Sequence, residues 1–225
     1  YLEKAAHVGD YLCSEKVQSA DGAYRSKGTH YTAVIYPAKS MLELVAAERG
    51  LIGSPLWKER YVRHKESAER AIDDLLLRLD NIQTEGDMTF EDGMITCSAL
   101  QLALRALLEG DSARRERYTS AAAYLMGKHQ CLEQQLIPDC RMRGGTLRYW
   151  EALDVYFVPN QVMNSPHGWT AWKIYACYYL YLLTGEVRYL SDFMDTLGAC
   201  AQFMELNGHL RWGFLPDPYI KGKVC

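Results

Sequence analysis

The strongest constraint on the fold is an internal repeat in which an Arg-Tyr pair follows a glycine. The pairs are Arg60-Tyr61, Arg117-Tyr118 and Arg188-Tyr189, and the glycines before them are Gly50 or Gly53, Gly110 and Gly185. Because glycine readily adopts the left-handed conformation that ends a helix, each unit predicts a helix end and a new helix beginning after Arg-Tyr. Tyr1 matches the position of the three tyrosines. The repeat therefore predicts a series of helical hairpins, and the chain is expected to begin in the middle of a hairpin.

Two kinds of helix alternate along this series. Residues 61–80 are amphipathic, with charged side chains at a spacing of three to four opposite Ala68, Ile72 and Leu75. Residues 94–108 and 169–183 are apolar on nearly every face, and 31–49 are a milder case. An amphipathic helix fits an outer layer and an apolar helix an inner one. The sequence predicts an all-α fold of repeated hairpins around a shared interior.

The connections between the helices are also of two kinds. Those from an inner to an outer helix are short, whereas those from an outer to an inner helix are long and polar: 19–31, 84–93, 137–168 and 207–220. In an alternating array the long loops emerge at one end, where short irregular or β-like segments are expected. Loops on a rigid scaffold often carry function. We therefore place the site at this end.

Composition restricts the function further. The net charge of −3 gives no general attraction to nucleic acid, and no apolar run predicts membrane insertion. The seven cysteines show no zinc spacing, and no P-loop, nucleophile elbow or dinucleotide fingerprint occurs, so neither a metal nor a cofactor is predicted. Cys97, Cys177 and Cys200 are expected to be buried, whereas Cys131 and Cys140 could pair in an oxidising compartment. The 16 Tyr and 5 Trp suit either a core or a sugar-binding cleft.

Three segments resemble a known group of proteins. They are FEDGMITCSALQLALRALL (Phe90 to Leu108), GWTAWKIYACYYLYLLTGE (168–186) and LLTGEVRYL (Leu182 to Leu190). They are similar to the α/α-toroid, or six-hairpin, carbohydrate-active enzymes, which include unsaturated glucuronyl hydrolases and toroid-type polysaccharide lyases. The resemblance implies an α/α toroid or a partial, open toroid. A closed six-hairpin ring needs more helices than this chain predicts.

The resemblance and the start of the chain together suggest a piece of a longer protein. The chain opens on YLEKAAHV without an initiator Met or a visible signal peptide. We expect residues 1–225 to form a single domain, the C-terminal part of a longer toroid, whose missing N-terminal part is then a partner. The resemblance favours a periplasmic or secreted location.

Glycosidic bond hydrolysis is the first reaction that the resemblance implies. It needs two carboxyl groups flanking the bond. Glu91 and Asp92 precede an inner helix, so either is a candidate general acid or nucleophile, with Asp21, Asp154 or Glu151 as the second carboxylate. The alternative for Asp92 is stabilisation of the helix N-terminus.

β-Elimination on a uronate-containing glycan is the second reaction that the resemblance implies. Lyases of toroid type use a Tyr or His base beside an Asn or Arg that neutralises the uronate. Tyr31, His30, His167 and Asn164 lie at the mouths of inner helices and match these residue types. Capping by Asn164 or Ser165 with Pro166 explains part of the turn before 169–183 without any function.

The remaining candidates would bind substrate. Arg148 lies beside Tyr149 and Trp150, and this set fits an acidic sugar through a guanidinium and stacking rings. Its alternative is a solvated turn at Gly144-Gly145. Trp169 and Trp212 complete the predicted contacts with an oligo- or polysaccharide. A third possibility is a non-catalytic helical-repeat module that binds glycan or protein.

Overall fold

The fold is described by a computed structural model, which covers residues 1–24, 32–82, 92–130, 133, 170–201, 204 and 206–209, with side chains omitted at 32–35, 92 and 170. Within these ranges there are seven α-helices and no strand. They are α1 (Leu2–Leu12), α2 (Thr32–Glu48), α3 (Pro55–Leu77), α4 (Asp92–Leu108), α5 (Ser112–His129), α6 (Thr170–Thr184) and α7 (Val187–Ala201), with a 3-10 turn at Arg49–Leu51. The predicted all-α hairpin fold is confirmed.

The short turns between the helices are built in three different ways. Pro55 occupies the first turn of α3, where its missing N–H costs no hydrogen bond. Asp111 caps α5 by accepting a hydrogen bond from the Arg114 backbone N–H at 2.8 Å. Gly185 ends α6 in the left-handed region, with a φ of 71°. The prediction that helices begin after Arg-Tyr was wrong, because α3, α5 and α7 begin at Pro55, Ser112 and Val187, before their pairs.

The glycine prediction was also only partly right. Gly185 adopts the left-handed conformation, whereas the glycines before α3 and α5 do not. At those two turns, proline and aspartate specify the start of the next helix instead. The equivalence of Tyr61, Tyr118 and Tyr189 nevertheless has a structural basis, whereas Tyr1, predicted to match them, is fully exposed. Tyr118 and Tyr189 are buried on the inward faces of α5 and α7, and Tyr61 packs against the same core.

The helices form an inner and an outer layer. In the inner layer α4 packs between α2 and α6, while α3, α5 and α7 each pack against the inner helix that precedes them. The consequence is visible in α4, where the side chains of residues 94–106 are all buried. This confirms the prediction that 94–108 is an inner helix. No helix in the described part of the chain combines the length and apolar character needed to cross a bilayer.

Helix α6 departs from the predicted uniform burial. Tyr175, Tyr178 and Leu182 are 52%, 40% and 50% exposed, whereas Lys173, Ala176 and Cys177 are buried. Among the described helices α4, α5 and α7 pack substantially against α6, so the sides of α6 that they do not cover remain exposed. Cys97 and Cys177 are buried as expected, but Cys200 is only half-buried.

The outer helix α3 also departs from its predicted pattern in two respects. It ends at Leu77 rather than at residue 80. Asp74, expected on the solvent face, is buried and accepts a hydrogen bond from the Arg78 guanidinium at 2.9 Å. Ala68, Ile72 and Leu75 are buried as predicted.

A buried polar cluster joins the first three helices. His64 of α3 is fully buried, with Nδ1 2.9 Å from Glu48 Oε1 and Nε2 3.0 Å from Asp10 Oδ1. Arg60 and Arg63 also contact Asp10. Hydrogen bonds from Arg63 and His64 hold the pKa of Asp10 below its usual value, although burial alone would raise it. This cluster fixes the packing of α1 on α2 and α3.

Candidate functional site

The inner helices α2, α4 and α6 each begin at one end of the array. The chain passes from α1 to α2, from α3 to α4 and from α5 to α6 by the long segments, so the N-termini of all three inner helices lie at this end. The short turns, such as Arg49–Leu51, lie at the opposite end. We call the first the loop-bearing end.

Most of the predicted site residues lie outside the described residues. These are Tyr31, His30, Glu91, Arg148, Tyr149, Trp150, Asn164, His167, Trp169 and Trp212, together with Asp154 and Glu151. Asp92 is the first residue of α4, and its backbone is therefore at the loop-bearing end, while its side chain is outside the description. Their roles stay predictions.

Asp21 is the one predicted site residue whose side chain is described. It is exposed, and its Oδ1 accepts hydrogen bonds from the Ser19 hydroxyl and from the Ala23 backbone N–H, the latter at 3.2 Å. The next residue, Gly22, has a φ of 93°, and a Cβ there would lie 2.4 Å from the Arg70 carbonyl oxygen. Asp21 thus organises a tight turn packed on α3.

Two aromatic rings meet at the mouths of α2 and α6. The centroids of the Tyr36 and Trp172 rings are 4.9 Å apart with planes tilted by 39°. Tyr36 lies in the second turn of α2 and Trp172 lies in the first turn of α6. Both rings are partly buried. The pair therefore bridges two inner helices close to the loop-bearing end.

Below this pair, both helices continue with polar side chains at helical spacing. On α2, the Lys39 ammonium lies 2.8 Å from Glu43 Oε1. On α6, the Tyr175 and Tyr179 ring centroids are 6.2 Å apart. Burial raises the pKa of Tyr179, and the Glu43 carboxylate adds to this change.

A second cluster ties α6 to the segment that follows α5. Lys173 is fully buried, and its Nζ lies 2.8 Å from Glu133 Oε1. The His129 ring Nδ1 is 3.2 Å from the same oxygen. Burial alone would raise the pKa of Glu133, but the His129 hydrogen bond and the Lys173 charge hold it below the usual value. The cluster anchors one edge of the long loop between α5 and α6.

A small cleft between α5 and α7 opens beside this cluster. Its lining includes Gln130, Glu133, Arg188 and Asp192. Burial raises the pKa of Asp192, the Lys173 charge opposes that change, and Glu133 adds to it. Burial also raises the pKa of the Cys177 thiol to about 12, so it stays protonated. Within the described residues no group of His, Cys, Asp and Glu is arranged to hold a metal ion.

Sequence reasoning missed Tyr36, Trp172 and Lys173. Reading α6 as apolar all round hid the spacing of Trp172, Tyr175 and Tyr179, which at i, i+3 and i+7 share one helix face. Lys173 is the only charged residue in α6, and a lone charge in an apolar helix signals a buried partner. That partner could not be named, because Glu133 is distant in sequence.

Comparison with known proteins finds similarity at the level of the fold. No protein-family profile and no curated protein matches the chain. A solved structure described as polysaccharide lyase BACCELL_00875 is similar, with a TM-score of 0.52 and 15% sequence identity over 92% of this chain. The chain spans 36% of the length of that protein. At this identity the similarity shows a shared helical fold, in agreement with the toroid-type architecture expected from the sequence.

Proposed function

We propose that the chain belongs to a carbohydrate-active enzyme that cleaves an acidic polysaccharide at its loop-bearing end. The observation that carries this proposal is the structural similarity to a polysaccharide lyase over 92% of the chain. It is supported by the aromatic pair Tyr36 and Trp172 at the mouths of two inner helices, because ring faces stack on the apolar C–H faces of sugars.

β-Elimination is the reaction that the similarity favours. A base removes the proton beside the uronate carboxylate, the bond from the next ring carbon to the leaving glycosidic oxygen breaks, and a carbon–carbon double bond forms in the sugar. The leaving oxygen takes up a proton from an acid or from water. Tyr31 or His167 is the proposed base, and Asn164 the proposed partner of the carboxylate. Arg148 supplies a further positive charge for an acidic glycan.

Hydrolysis is the second candidate, because Asp92 begins α4 at the same end. A carboxyl group there would act with Glu91 or a loop carboxylate in an acid-base pair. The helix N-terminus favours the ionised form of such a group, which suits a nucleophile or base better than a general acid. The two reactions share a location but use different side chains.

Product analysis with the 225-residue chain tests the proposal. Polygalacturonate, alginate, hyaluronan and a neutral glucan would be incubated with it, and both ultraviolet absorbance and reducing ends would be recorded. Elimination gives an absorbing unsaturated product, whereas hydrolysis gives reducing ends alone. A folded chain that neither cleaves nor binds any of the acidic glycans would overturn the proposal.

Three variants assign the reaction to residues. His167→Ala should reduce elimination by roughly 10²- to 10⁴-fold if His167 transfers the proton. Asp92→Asn should leave elimination largely intact but abolish hydrolysis. Elimination that survives both His167→Ala and Tyr31→Phe at full rate would refute the proposed bases.

A further inference from the structure

Two rows of side chains face each other across the inner layer. The α2 row is Tyr36, Lys39 and Glu43, and the α6 row is Trp172, Tyr175 and Tyr179. Both rows have the spacing i, i+3, i+7, which places their members on one side of each helix. Since both helices start at the loop-bearing end, members of the same rank lie at the same depth. We call the space between the rows the inner groove.

A ring contact at one end and an electrostatic effect at the other support this alignment. At the top, the Tyr36 and Trp172 rings are in contact, with centroids 4.9 Å apart. At the bottom, the charge of Glu43 reaches Tyr179 strongly enough to contribute to its raised pKa. A row of seven residues extends about 10 Å along a helix. The inner groove therefore continues the loop-bearing end inward for about two helical turns.

The walls of the inner groove are partly open. The inner helix α4, which packs against both α2 and α6, is buried from Met94 to Ala106, so the accessible surface lies on the two rows themselves. In the walls, Tyr175 is 52% exposed, and the Glu43 side chain is 50% exposed. Tyrosines and a salt bridge therefore remain accessible where a wall of the hydrophobic core would show aliphatic side chains.

We propose that the inner groove binds a uronate-containing oligosaccharide, with the aromatic rings stacking on sugar faces and Lys39 binding a carboxylate. This proposal rests on the proposed function, because it assigns residues to the glycan-binding site of the same enzyme. Aromatic rings provide the apolar faces and the tyrosine hydroxyls provide hydrogen bonds. Lys39 is the cationic member of the two rows.

Glu43 gives the groove a means of selection. In the free protein the Lys39 ammonium is paired with Glu43, at 2.8 and 2.9 Å from its two oxygens. A sugar carboxylate must compete with Glu43 for this ammonium, whereas a neutral sugar gains nothing there. Lys39 thus acts as a specificity-determining residue for acidic glycans, and Glu43 limits their affinity.

Binding measurements on the aromatic wall test the proposal first. Titration calorimetry with oligogalacturonate would compare wild type with Trp172→Ala and Tyr175→Ala. Loss of one stacking ring should weaken binding roughly three- to tenfold. Trp57→Ala is the matched control, because Trp57 lies on the outer helix α3, where its ring contacts Arg60. Tyr175 is exposed enough that its loss should leave folding intact, which thermal unfolding would verify.

Charge variants test the assigned specificity. Lys39→Gln should weaken binding of oligogalacturonate and reduce its salt dependence, without changing the affinity for a neutral cello-oligosaccharide. Glu43→Gln should have the opposite effect and strengthen binding of the acidic glycan. Equal losses for acidic and neutral glycans would refute the role of Lys39.

The outcome separates this inference from the proposed function. If wild type cleaves or binds an acidic glycan while Trp172→Ala and Tyr175→Ala match Trp57→Ala in affinity and KM, the groove assignment is wrong and the function stands. If the folded wild-type chain neither binds nor cleaves any acidic glycan, the function is wrong and the groove assignment fails with it.

Discussion

Replacement of His64 by alanine provides a demanding test of the packing. The ring is fully buried, and its two nitrogens face Glu48 at 2.9 Å and Asp10 at 3.0 Å. Glu48 is also fully buried, so His64→Ala leaves a carboxylate inside the protein without the ring that faces it. Removing one partner of a buried ion pair typically costs about 3–5 kcal/mol. Asp10 loses less, since Arg60 and Arg63 still contact it.

Equilibrium unfolding in urea and by heat, followed by circular dichroism, measures this loss. For a chain of this size, about 3–5 kcal/mol corresponds to a fall in Tm of roughly 6–20 °C. His7→Ala is the control, because the His7 side chain is 70% exposed, and its effect should stay within about 0.5 kcal/mol. A loss below about 1 kcal/mol for His64→Ala would refute the reasoning.

A double variant distinguishes an unpaired charge from a simple packing defect. Replacing both Glu48 and His64 with leucine removes the buried charge together with its partner. The double variant should therefore lose less stability than His64→Leu alone, which gives a strongly non-additive cycle. Additive losses would indicate that the cluster contributes by packing.

Three further predictions concern other parts of the fold. Gly9→Ala should destabilise the protein by about 1 kcal/mol in urea unfolding, because the new Cβ would lie 2.5 Å from Leu44 Cδ2. In Gly198→Ala the new Cβ meets nothing within 4 Å, so this variant should stabilise the protein by up to about 1 kcal/mol. Equal effects of the two variants would contradict the close packing of α1. Lys173→Met should cost about 2–3 kcal/mol by leaving its carboxylate partner uncompensated, and an unchanged Tm would show that the pair is not formed. Asp192→Asn should raise Tm at pH 7, because burial raises the pKa of Asp192 and its ionised form therefore opposes folding. The gain in Tm should vanish as the pH falls below 3.8, the ordinary pKa of an aspartate. A gain that persists at lower pH would reject this cause.

The candidate site shows where sequence patterns stop being informative. Spacing alone located the loop-bearing end, and it could have identified the row of Trp172, Tyr175 and Tyr179. It could not show that Tyr36 lies 4.9 Å from Trp172, because the two residues come from helices separated by most of the chain. The Asp21 side chain, a candidate second carboxylate for hydrolysis, accepts hydrogen bonds within its own turn, a local role that a loop position does not reveal.

The sequence by itself determined the helices, their order and their assignment to two layers. Those properties follow from local periodicity and from side chains such as Pro55, Asp111 and Gly185, which act on the adjacent backbone. The tertiary structure alone decided which helices are neighbours and how completely each helix is covered. Helix α4 is buried because α2 and α6 flank it. Helix α6 is covered by α4, α5 and α7 but exposes Tyr175, Tyr178 and Leu182. It also decided the pairing of His64 with Glu48 and of Lys173 with Glu133. Such pairings depend on distances between remote segments, which no local pattern contains.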